Sequence, residues 1–194
     1  MSENNTEMQG YVVPEMRPVS LNDKGIYYFA GDFNQNSVKD CITWILDANF
    51  QDKTQYEALT LIITSYGGDL FSAFALIDVM RGSAIPVHTI GLGIIASAGL
   101  MTFIAGEKGN RIITPNTSIL SHQWSSGMFG KAHELMASQK QFDLTTKRMI
   151  SHYKKCTGLT DKQIRDKLLP AQDVWLSAEE AKEYHLADQV RSLR

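Results

Sequence analysis

Ser97, His122 and Asp173 are the residues whose types could together carry out acyl transfer. A serine hydroxyl becomes nucleophilic when an imidazole takes its proton, and a carboxylate can orient that imidazole and offset its charge. Ser97 stands among Ala96, Ala98 and Gly99, at the opening of a short apolar helix. Small neighbours let another backbone approach, and a helix N-terminus offers free amides to an anion. The local pattern leaves open the plainer role of a helix N-cap. It also departs from the hydrolase elbow G-x-S-x-G, because the spacing here is Gly93-x-x-x-Ser97-x-Gly99. His122 closes an apolar strand between Ser121 and Gln123, where it could serve as a general base or as a hydrogen-bonded structural histidine. Asp173 precedes Val174-Trp175-Leu176, a short apolar segment able to anchor it, whereas Asp161 and Asp166 fall at solvent-facing helical positions.

Other chemistries lack their residues. Gly91-Leu92-Gly93-Ile94-Ile95-Ala96 fits the dinucleotide pattern G-x-G-x-x-A. The following strand, however, ends in Thr114-Pro115, with no acidic residue to hold a ribose. No phosphate loop G-x-x-x-x-G-K-[ST] occurs, so the chain itself is not expected to hydrolyse ATP. Cys41 and Cys156 form no C-x-x-C motif. His152 and Cys156, four residues apart, lack a third metal ligand, and no metal or other cofactor is expected. His88 reads as core, His133 and His152 as the surface of a long helix, and His185 as a cation at a helix end.

Nineteen basic against 21 acidic residues give a net charge of −2, and with no basic cluster there is no electrostatic footprint for nucleic acid. The 194 residues, 43% hydrophobic and 21% charged, suit one folded domain without disulfide or metal staples. No run of 18 apolar residues predicts a membrane span, and MSENNTEMQG lacks an apolar signal core. Two isolated thiols fit a reducing compartment, so a cytoplasmic location is expected.

Residues 1–24 carry little pattern and read as an N-terminal segment; 25–194 read as the domain. There Ile26–Phe29, Leu59–Ile63, Pro86–Ile90, Arg111–Ile113 and Ser118–Ser121 read as strands. Between them, helices are expected from Ser37, from Asp69 to Arg81-Gly82, and from Ser97 to Ala105. Val38, Cys41, Ile42, Ile45 and Leu46 form the apolar face of the first helix; Leu70, Phe71, Phe74, Ile77 and Met80 form that of the second. Gly91-Leu92-Gly93 reads as a turn. The segment from about Gly130 to Cys156 reads as one helix of roughly 40 Å. Its middle, SQKQFDLTTKR, offers only Phe142 and Leu144 as large apolar groups, so it must project or meet a partner chain. Thr160 with Gln163, and Ser177 with Glu180, are capping boxes of two further helices. Alternating strands and helices argue for an α/β domain with largely parallel strands. Sites in such folds lie at the strands' carboxyl ends: here Gly67-Gly68, the turn into Ser97, and His122.

The stretches ITSYGGDLFSAFALIDVMR, TIGLGIIASAGLMTFIAGEKGNRIITPNTSILSHQ and DVWLSAEEAKEYHLAD, in this order and spacing, resemble the proteolytic subunit of the Clp protease. The resemblance implies a ClpP/crotonase-like superhelix of β-β-α units with a protruding handle helix at about 130–156. It further implies Ser97 as nucleophile, His122 as base, Asp173 as orienting acid, Gly68 and Ala98 as oxyanion-hole donors, and Gly67-Gly68 as substrate-binding backbone. Two stacked heptameric rings enclosing the sites, unfolded polypeptide substrates and an ATP-driven unfoldase partner are also implied, with residues 1–24 contributing axial loops. Tyr66 and Trp124 stand where the family usually has proline, and Gln172 where it usually has arginine. The segment from Ile164 to Asp173 is about two residues longer than the family's. The chain therefore resembles a divergent member. Two rival readings stay open: an acyl-CoA enzyme of the crotonase type, and a non-catalytic subunit that modulates another protease.

Overall fold

The computed structural model describes residues 20–51 and 56–193, so most of the N-terminal segment 1–24 lies outside the described residues. A 3-10 turn, Asn22–Lys24, leads into strand β1 (Ile26–Ala30). Helix α1 (Gln35–Asn49), strand β2 (Leu59–Ser65), helix α2 (Leu70–Gly82), strand β3 (Val87–Ala96) and helix α3 (Ala98–Phe103) follow. The second half comprises β4 (Arg111–Ile113), β5 (Ser118–Ser121), α4 (Ala132–Thr157), α5 (Asp161–Lys167), β6 (Val174–Leu176), α6 (Ala178–Glu183) and β7 (Gln189–Val190).

The expected α/β class is the one observed. The sheet order is β1-β2-β3-β4-β7, with β5 pairing both β3 and β6. Every pairing is parallel except β5 with β6. Alternation along β2 buries Leu59, Leu61, Ile63 and Ser65 on one face and half-buries the other, so the sheet is covered unequally on its two sides. Cys41 and Ile45 of α1, Leu76 and Ile77 of α2, and all of α3 complete the core on the better-covered face.

Helix starts follow local chemistry. Asn34 caps α1 by accepting from the amides of Asn36 and Ser37, so this helix begins two residues ahead of Ser37. Asp69 caps α2, and both expected boxes, Thr160/Gln163 and Ser177/Glu180, form. Phe71, expected on the buried face of α2, is instead half exposed. At the far end of the sheet, buried Arg111 makes a two-pronged pair with Asp188: Nε donates to Oδ2 over 2.9 Å and Nη2 to Oδ1 over 2.5 Å. This joins β4 to the segment entering β7.

Two further expectations need correction. Gly91-Leu92-Gly93 is no turn; it lies inside β3, which runs on to Ala96. Ile63 pairs with Gly91 but Ser65 with Ile95, so two extra β3 residues are accommodated as a bulge, with Gly93 at φ 66°. Along one edge, β3 first pairs with β4 (Thr89–Gly91) and beyond the bulge with β5 (Ile94–Ala96). That switch brings the end of the serine strand beside the histidine strand. The second correction is His152, which is buried rather than on the surface. Arg81 Nη2 lies 2.8 Å from its Nδ1, and its Nε2 lies 2.7 Å from Met101 O. Guanidinium can only donate and a carbonyl only accept, so the imidazole is the neutral Nε2–H tautomer and stitches α2, α3 and α4 together.

Helix α4 runs 26 residues, close to the expected bounds. Its C-terminal half packs through Thr145, Met149, Ile150, His152 and Tyr153, whereas its first three turns are almost wholly exposed. Among the described residues no helix is long and apolar enough to cross a membrane.

Candidate active site

Ser97 stands between the last residue of β3 and the first of α3, with φ 55° and ψ −121°. Such a backbone is sparsely populated for a non-glycine residue and costs about 1–3 kcal/mol. The surroundings hold it there. Ser97 N donates to Leu120 O of β5 over 3.0 Å, and Ser97 O accepts from Met101 N over 3.0 Å. Although Ser97 occupies the N-cap position, its side chain makes no capping hydrogen bond. The hydroxyl is therefore free of the bland role that the local sequence left open.

Gly67 and Gly68 follow the end of β2, next to this elbow. A Cβ on Gly67 would lie 2.6 Å from Ser97 Cβ and 3.1 Å from Ala98 N, so only glycine permits the approach. A Cβ on Gly68 would lie 2.3 Å from Phe33 O, and its φ is 136°. Phe33 bridges to Gly68 in parallel fashion, but the bonds are made by the neighbours: Phe33 N to Gly67 O, and Asp69 N to Phe33 O. Alternation of a strand then turns the Gly68 N–H to the opposite side from Phe33. Gly68, Ser97, Ala98 and His122 line one cleft of about 250 Å³. The amide of Ala98, first in its helix, is one of the donors that a helix N-terminus leaves unpaired.

His122 follows the last residue of β5 and is half-buried. The antiparallel register sets Ser121 opposite Val174. One step further along the same ladder places His122 opposite Asp173. Asp173 is exposed and does not line the cleft. Among the described residues, no hydrogen bond joins Ser97 to His122 or His122 to Asp173. The structure thus brings Ser97, His122, Gly68 and Ala98 to one cavity, and leaves Asp173 outside its lining, just before the strand β6 that pairs with the histidine strand.

The residues flanking His122, legible in the sequence only as polar neighbours, tie β5 to the segment before β6. Ser121 Oγ donates to Leu168 O over 2.6 Å and lies 2.9 Å from the Tyr153 hydroxyl. Gln123 Nε2 donates to Leu169 O and Pro170 O over 3.0 and 3.1 Å. Both thereby hold the segment that leads to Asp173. Burial raises the Tyr153 phenol above its usual range, against the opposing hydrogen bond of Ser121, so it stays a neutral partner. Trp124, which stands where the resembled family usually has proline, donates Nε1–H to Thr146 Oγ1 over 3.0 Å and meets the Phe142 ring edge-on. It forms a wall of the cleft together with Met101 and Met149. Among the described residues no group of histidine, cysteine and carboxylate side chains could hold a metal.

A serine hydroxyl with no hydrogen-bond partner among the described residues, on a strained strand-to-helix elbow that shares a cleft with an imidazole and with Gly68 and Ala98, offers the parts that serine-type acyl transfer requires. Comparison with known proteins agrees with this class. The family model described as Clp protease matches residues 18–194. The proteolytic subunit 2 of the ATP-dependent Clp protease of Corynebacterium glutamicum is 35% identical over 70% of this chain and 66% of its own length. Proteolytic subunit 1 of Corynebacterium jeikeium is 30% identical over 85% of this chain and 86% of its own. Proteolytic subunit 2 of Corynebacterium efficiens is 34% identical over 70% and 67%. The chain belongs to the Clp protease family. Its fold is the ClpP/crotonase-like one, and its activity class is that of a serine endopeptidase acting on polypeptides as part of an oligomer.

Proposed function

We propose that the chain hydrolyses peptide bonds of unfolded polypeptides through Ser97, His122 and Asp173. Ser97 Oγ attacks the scissile carbonyl carbon while its proton passes to His122, and the carbonyl oxygen becomes an anion held by the N–H groups of Gly68 and Ala98. Collapse of that intermediate breaks the C–N bond; His122 returns the proton to the leaving amine, and an acyl-serine remains. Water, deprotonated by His122, then releases the acid and restores the serine. Asp173 orients His122 across the β5–β6 ladder. Removing one oxyanion donor costs about 3 kcal/mol in serine proteases, so the freed amides are a large part of the catalytic power. Ser97 and His122 share the cleft without a hydrogen bond between them among the described residues. Bound substrate, and neighbouring subunits, draw the three groups together, as unoccupied catalytic sites often require. The extended substrate lies along Gly67-Gly68, where any side chain would block it.

The relatives are named as subunits of an ATP-dependent protease. By extension the domain 25–194 forms stacked heptameric rings in the cytoplasm, fed by an ATP-driven unfoldase, with residues 1–24 at the axial entrance. The observation that carries the catalytic reading is the Ser97 elbow, whose hydroxyl caps nothing and faces the cleft shared with His122. The test is fluorophosphonate labelling of the native particle with mass-spectrometric mapping. Label on Ser97, and loss of peptide hydrolysis by several orders of magnitude in Ser97→Ala with assembly intact, are expected. Normal cleavage by Ser97→Ala would overturn the reading. Tight CoA-thioester binding without labelling would favour the acyl-CoA alternative.

A further inference from the structure

Among the described residues that line the catalytic cleft, Asp69 is the one with a fixed charge. It directly follows Gly68, and it is exposed rather than folded away. Its Oδ2 accepts from Ser72 N over 2.7 Å and from Ser72 Oγ over 2.6 Å. No cation pairs with it among the described residues. Burial is the largest single influence and opposes its charge, but the hydroxyl and amide of Ser72 and the amide of Phe71 together outweigh it and hold the carboxyl below its ordinary range. It is therefore an anion at neutral pH. Much of the rest of the lining is apolar: Leu70, Phe71, Met101, Trp124 and Met149.

The cap and the dipole of α2 both favour a carboxylate here. The same carboxylate lines the cleft beside Gly68 and has no cationic partner among the described residues, so its charge is also offered to whatever enters the cleft. A lone carboxylate next to apolar walls is matched by a side chain with a long methylene stem and a cationic head, since the stem packs on the walls while the head meets the charge. Lysine and arginine have that shape. An acidic side chain would meet repulsion in the same cleft.

We propose that Asp69 sets the specificity of this protease, making its cleft select polypeptides with a basic side chain beside the scissile bond. The proposal rests on Ser97 being the nucleophile. Ser97 and Asp69 touch the substrate at different points, so the two ideas fail differently.

The experiment uses the assembled protease and fluorogenic peptides that differ only in the residue before the cleaved bond: arginine, its neutral isostere citrulline, or glutamate. Wild type is expected to give a kcat/KM about tenfold higher for arginine than for citrulline, with glutamate lowest. Asp69→Asn keeps the cap, so the fold and fluorophosphonate labelling of Ser97 should persist. That variant should lower the arginine rate to the citrulline level and leave citrulline within about twofold. If the peptides turn over too slowly, protection of Ser97 from the fluorophosphonate by the same peptides supplies the same ranking. Equal handling of arginine and citrulline by wild type, or equal losses on both in Asp69→Asn, would overturn the proposal. Absence of label on Ser97 would instead overturn the nucleophile assignment on which it stands.

Discussion

At Ser97 the polypeptide is held in a conformation that serine avoids, and Gly67 is what makes room for it. A methyl group at residue 67 would lie 2.6 Å from Ser97 Cβ and 3.0 Å from Ala96 O, with φ fixed at 106°. Either the elbow moves or the turn after β2 does. Gly67→Ala should lower kcat/KM by about 100-fold, because displacements on the order of 1 Å cost that much in oriented catalysis. Fluorophosphonate labelling of Ser97 should slow in parallel. Gly82→Ala, at a position with nothing within 4 Å, is the control and should change neither. Labelling of Gly67→Ala at the wild-type rate would show that the contact does not position the nucleophile. The glycine pair and the serine could be read from sequence because small residues are conspicuous beside a nucleophile. The strained φ of Ser97 could not, since it is imposed by β5 and Gly67, which are distant along the chain.

Elements are tied together around the site by groups that sequence patterns hide. His152 was legible as a helical residue but not as a buried one. The first turns of α4 are exposed, and only contact with α2 and α3 distinguishes its later turns. Likewise, the glycines at 91–93 signal a turn locally, and only pairing with β2 and β5 reveals a bulged strand. By contrast, β2, β4, β5 and the capping boxes follow from local composition, and the structure has them where expected. The buried imidazole has a measurable consequence. Burial, reinforced by the Arg81 guanidinium, pushes the His152 pKa down to about 3. Between that value and the unfolded value near 6.5, the unfolded chain binds a proton that the folded chain refuses, so stability rises with pH. Its contribution is whole above pH 6.5 and is lost progressively as pH falls toward 3. On this ground the protein should lose on the order of 2 kcal/mol between pH 6.5 and 5 from this residue. Urea unfolding at a series of pH values reads the slope, and His152→Gln should flatten it. An unchanged slope in that variant would assign the acid sensitivity to other groups.

On the scale of the whole molecule, the chain is incomplete by itself. The first three turns of α4 bear Leu135 and Met136 against open solvent, and Phe129 just before them is fully exposed. A helix polar or exposed all round gains little from packing, and isolated helices of this length are marginal in water. Cover from another subunit would supply the missing packing, and membership of the Clp protease family makes a neighbouring subunit the expected source. Met136 is 77% exposed and lies far along the helix from the residues that anchor it to the core. A charge there should leave the fold of the single chain untouched while opposing burial in a joint between subunits. Met136→Glu is therefore expected to give a smaller particle by native mass spectrometry and sedimentation, with an unchanged circular dichroism spectrum. Peptide hydrolysis should fall with particle size, because Ser97 and His122 share a cleft without a hydrogen bond, and contacts between subunits are expected to draw them together. A Met136→Glu protein of wild-type size and activity would mean that this helix projects without joining anything, and the catalytic groups would then have to close by substrate binding alone.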